Sequence, residues 1–117
     1  MLARPLGTGR VHYLAGQLAL ADRRAFLDRL MNAYGLDRPI RAFAPGGAYL
    51  EGVEFRAVRD GQGYLAYLHS TVPEPREVKL TSKRPILDVF SVSAGTKQGA
   101  KMTLAPLETR ILRIKLK

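Results

Sequence analysis

Two pairs of acidic residues are the first in this chain to invite a chemical reading. Glu51 and Glu54 stand three positions apart, as do Glu74 and Glu77. Hydrolysis of a glycosidic bond needs two carboxyl groups about 5–10 Å apart across a sugar-binding cleft. The first pair leads into an extended run and the second brackets Pro75 in a turn, so both pairs read as solvated surface charge. His12 and His69 are the only histidines. Each falls in an extended run, with neither a cysteine nor a close carboxylate at metal-ligand spacing. His69 and Ser70 do not make a base–nucleophile pair, because neighbours on a strand point to opposite faces. Gly7-Thr8-Gly9 begins a glycine pattern, but the third glycine would fall at His12. The glycines also precede the extended run, whereas the dinucleotide fingerprint places them after it. The expectation is a protein that is not an enzyme, with no catalytic set, no metal site and no cofactor.

Residues suited to binding are more numerous. Tyr49, Phe55, Tyr64, Tyr67 and Phe90 are the aromatics from position 49 onward. An exposed row drawn from Tyr49, Tyr64 and Tyr67 would stack on sugar rings, or on bases. The same alternation also fills the core of a β-sandwich. Both faces of the 64–68 run are apolar, so an outer apolar face there needs cover, from the 18–34 segment or from another subunit. Arg113, Lys115 and Lys117 share one face of the last run. They offer a possible anion contact, or a charged guard against stray pairing at a sheet edge. The net charge of +9 divides into +4 over residues 1–50 and +5 over 51–117, so it forms no basic tail or basic helix. Nucleic acid is a compatible partner, since phosphate neutralisation drives such binding. An ordinary basic protein fits the same charge.

The elements that would position these residues fall into two styles. Residues 10–15 are nearly continuous apolar between Gly9 and Gly16, which predicts a strand buried on both faces of a parallel sheet. Residues 18–34 form a helix: Leu20, Leu27, Leu30, Met31 and Tyr34 make one stripe at 3.6 residues per turn. Gly35 caps it and Pro39 prevents it from resuming. Residues 36–51 lose all periodicity and read as a linker. From 53 onward the candidate strands are 53–59, 64–70, 76–81, 86–91, 101–104 and 109–116, each separated by turn residues. Asp60-Gly61-Gln62-Gly63 marks a hairpin between the first two. The predicted fold class is α+β: a small antiparallel β-sandwich of about six to seven strands over 51–117, preceded by one strand–helix unit over 1–50.

A chain of 117 residues has room for one domain, or one small domain and a fragment. It lacks cysteine, which excludes a disulfide framework and suits a reducing compartment. No apolar run approaches the roughly 20 residues that cross a bilayer, and the first residues have no signal-peptide shape. A soluble cytoplasmic protein without a membrane partner is expected.

The order of elements resembles the C-terminal region of thermophilic-type bacterial β-galactosidases, a glycoside hydrolase family. Gly7-Thr8-Gly9-Arg10-Val11-His12-Tyr13-Leu14 and the helix after it are similar to the end of the family's amidotransferase-like α/β domain. Gly52-Val53-Glu54-Phe55-Arg56 is similar to the opening strand of its β-sandwich. The runs Tyr64–Thr71 and Pro75–Leu80 follow the same plan. Asp88-Val89-Phe90 with Gly95, then Leu104-Ala105-Pro106-Leu107-Glu108, complete it. The family's catalytic glutamates lie in a barrel that this sequence does not contain. The resemblance therefore implies a non-catalytic accessory domain that pairs with itself or with a parent enzyme domain. A carbohydrate-binding module and a basic nucleic-acid-binding protein are the alternatives.

Overall fold

A computed structural model describes residues 2–36 and 38–117. It divides into two compact units, one holding the described residues up to Leu36 and the other Arg38–Lys117. The first contains β1 (Leu2–Leu6), β2 (Gly9–Tyr13) and α1 (Leu20–Ala33). The second contains β3 (Ile40–Phe43), β4 (Val53–Asp60), β5 (Gly63–Ser70), β6 (Arg76–Ser82), β7 (Ile86–Ser91), β8 (Thr96–Gln98), β9 (Lys101–Leu104) and β10 (Thr109–Leu116). A short 3-10 turn, Pro45–Gly47, follows β3.

In the first unit the 10–15 run does not sit in a parallel sheet. β2 pairs antiparallel with β1, in register from Leu2–Tyr13 to Leu6–Gly9. The cause is local. Gly7 takes a left-handed φ of 58°, which closes a two-residue hairpin loop at Gly7-Thr8. The glycines that fail as a nucleotide fingerprint are hairpin punctuation. α1 matches the predicted helix to within two residues at either end. Gly35 caps it as expected, with the Leu36 N–H donating to the Met31 carbonyl at 2.9 Å. The His12 ring bonds the Tyr34 hydroxyl at 2.6 Å, joining hairpin and helix.

The second unit is the expected antiparallel sandwich: seven strands lie within 51–117, and β3 adds an eighth from residues 40–43. One sheet runs β4-β5-β10-β7-β8 and the other β3-β6-β9. Alternation assigns the inner faces. Leu112, Ile114 and Leu116 of β10 point inward with Ala66 and Leu68 of β5 and Val89 of β7. Ile40, Val78, Leu80, Met102 and Leu104 meet them from the smaller sheet. Each fully buried Leu or Ile removed from water contributes about 1.5–3 kcal/mol, so this cluster is the stabilising core.

Three expectations are corrected here. The stretch read as a linker contains β3, which pairs with β6 from Ile40–Ser82 to Phe43–Lys79. The turn between Gly95 and Gly99 contains β8, a short edge strand on β7. The last run is no guarded edge: β10 lies at the centre of its sheet, hydrogen-bonded to β5 on one side and β7 on the other.

Candidate functional site

The register of the five-stranded sheet places its outward side chains in rows. One row crosses all five strands as Val58, Leu65, Arg113, Phe90 and Lys97. The next is Arg56, Tyr67 and Ile111. Val58 is 60% exposed, and Tyr67, Phe90 and Ile111 are also exposed. The result is an apolar surface interrupted by Arg113 on the central strand and bordered by Arg56 and Lys97. Tyr67 and His69, two apart on one strand and so on one face, stack with ring centroids 6.2 Å apart. His69 Nδ1 lies 2.9 Å from the Thr109 hydroxyl.

Tyr64 and Tyr67 do not share a face. Tyr64 points inward and packs against the core, while Tyr67 points out. Tyr49 lies in the loop before β4. The structure thus does not assemble these three tyrosines into one row. Arg113 and Lys115 do stand together on the outer face and line a shallow pocket of about 250 Å³ with Asp60 and Gln62. Their rows carry acids as well: Arg113 approaches Asp60 at 3.9 Å, and Lys115 stands opposite Asp88. Lys117 lies past the end of β10, its N–H bonded to the Pro85 carbonyl at 2.9 Å.

The acidic pairs are dispersed. Glu54 faces outward on β4 and Glu51 lies in the preceding turn. Glu74 pairs with Arg76 at 3.7 Å, and Glu77 faces outward on β6. Among the described residues no three His, Asp or Glu side chains gather at metal-binding distance. No helix among them is long and apolar enough to cross a membrane.

The smaller sheet has a feature that sequence reasoning missed. Its outer face presents Phe43, Lys79 and Lys101 in one cross-strand row and Glu77 with Thr103 in the next. The guanidinium of Arg41 sits 4.6 Å over the Phe43 ring. With Pro45 and Gly46 as a wall, β6 and β9 floor an open groove of about 400 Å³. The alternation of β6 and β9 was legible, but the pairing that brings the two lysines together was not.

A β-sandwich preceded by a hairpin and helix is the class of fold these elements define. Among solved structures it is shared with an exo-carrageenase of glycoside hydrolase family GH42 from Bacteroides ovatus (TM-score 0.71, 19% identity, 85% of this chain). It is shared likewise with Gan42B, a GH42 β-galactosidase (TM-score 0.68, 19% identity, 98% of this chain). A catalytic mutant of Gan42B from G. stearothermophilus matches equally well. This chain spans only 14–15% of the length of those enzymes. No protein-family description matches the sequence, and no curated protein does.

Proposed function

We propose that the protein is a non-catalytic accessory module that works by packing against the body of a glycoside hydrolase. One observation carries this reading. The first unit has no buried residue among those described, yet it exposes nine large hydrophobics, Leu2 at 73%, Leu6 at 70% and Tyr13 at 63% among them. A hairpin and one helix that leave so much apolar surface in water lack the second layer that such elements need. The fold neighbours supply the candidate for that layer. In GH42 enzymes the same fold makes up a small part of a much longer chain. The catalytic groups then belong to the larger body, and this module contributes a supporting surface. Self-association covers the same surface when that body is absent.

Light scattering on the isolated protein, with hydrogen exchange read amide by amide, tests the proposal. The expected result is a dimer or larger species, with β1 and β2 amides protected only in the associated form. A strict monomer whose β1–β2 amides exchange as slowly as those of β5 and β10 would sink it.

A further inference from the structure

The exposed apolar residues of the first unit that carry the packing proposal do not include the groove on the smaller sheet. Lys79 and Lys101 face each other directly across β6 and β9. Like charges so placed repel and weaken a strand pair unless something anionic lies against both. Neither lysine has an acidic partner among the described residues. On the larger sheet, by contrast, Arg113 has Asp60 at 3.9 Å and Lys97 has Asp88 at 3.2 Å. The unmatched pair is thus particular to the groove.

We propose that this groove binds an acidic saccharide. Lys79 and Lys101 hold its carboxylate or sulfate, while Glu77 and Thr103 take ring hydroxyls. A volume of about 400 Å³ lies in the range of small-ligand sites. A nucleic-acid strand fits less well. It would bring successive phosphates past the Glu77 carboxylate, and the nearby aromatic, Phe43, has its ring covered by Arg41. An ammonium pair with a carboxylate and a hydroxyl beside it suits one anionic group on a polyhydroxylated ring.

The test is an amide-shift titration of the full chain with three tetrasaccharides: oligogalacturonate, a sulfated galactose oligomer and neutral galactose. Saturable shifts at Lys79, Lys101 and Thr103 are expected from an acidic sugar. The carboxylated and sulfated probes tell which anion is preferred, and the neutral sugar should bind at least about tenfold more weakly. Lys79→Ala with Lys101→Ala should cost at least about tenfold in affinity without lowering the melting temperature, since both side chains are exposed and their mutual repulsion is removed. Glu77→Ala separates recognition from plain charge: it should weaken the acidic sugar while strengthening inorganic sulfate. No saturable shift from either acidic sugar would overturn the proposal. So would unchanged binding by the double variant, or tighter sugar binding by Glu77→Ala. A glutamate peptide or an oligonucleotide that moves the same amides at lower concentration would also overturn it.

Discussion

Arg110 shows how much one residue near a turn can hold. Its Nη2 donates to both Glu108 carboxylate oxygens at 2.7 and 2.9 Å and to the Thr103 carbonyl at 3.1 Å. Its Nη1 reaches Gln98 at 3.4 Å. Thr103 belongs to the smaller sheet and Gln98 to the larger, so one guanidinium bridges the sandwich. The Ala105 N–H also donates to Glu108 Oε2, at 2.8 Å, closing a turn in which Leu107 adopts a left-handed φ of 57°. Partial burial pushes the Glu108 carboxyl up, but the Arg110 and Ala105 hydrogen bonds and the Arg110 charge outweigh it and hold the group below its usual value. The stability this adds is present above the unfolded carboxyl pKa of about 4.3 and is lost as pH falls through the lower folded value. Melting temperature should accordingly drop as pH falls below about 4.3, and the drop should shrink in Glu108→Gln; parallel curves would refute this. Arg110→Ala should cost about 1.5–3 kcal/mol in urea unfolding. Little of this was legible in the sequence. Glu108 and Arg110 stand at a strand start two positions apart, and their shared target appears only once the two sheets meet.

Among the elements, β3 and β10 mark the two limits of what pattern reveals. β10 alternates so regularly that its buried face, Leu112, Ile114 and Leu116, follows from the sequence alone. Its central position does not, since period-2 patterning says which face is buried and nothing about lateral neighbours. β3 was hidden for the opposite reason. Its four residues, set between Pro39 and Pro45, are too few to show a period, and the partner lies about forty positions along the chain. Ile40 is nonetheless 4% exposed and part of the core. Ile40→Ala should therefore lower unfolding free energy by about 2–5 kcal/mol. A loss below about 0.5 kcal/mol, the scale of surface substitutions, would show that β3 does not seal the sandwich.

The two units of the whole molecule differ in what they bury. Arg38–Lys117 holds every buried residue among those described, so it should fold without the first unit. A 38–117 protein is expected to unfold cooperatively with a midpoint within a few degrees of the full chain, and a molten or aggregated product would contradict that. The likeness to a glycoside hydrolase region was legible from turn spacing and strand order. The exposed apolar surface of the first unit was not, because a stripe such as Leu20–Leu27–Tyr34 reads the same whether or not anything covers it.

The position of β10 also bears on how the molecule is made. Among the described residues it is the last of ten strands in chain order, yet it is the one that joins β4-β5 to β7-β8. During synthesis β5 and β7 each wait with an open flank of unpaired amides and carbonyls until residues 109–116 leave the ribosome. Until then β4-β5 and β7-β8 stand as separate hairpins, although the strands of the smaller sheet are all already made. Its final collapse is a single late event, and a stall before Thr109 leaves two adhesive half-sheets for a chaperone to shield.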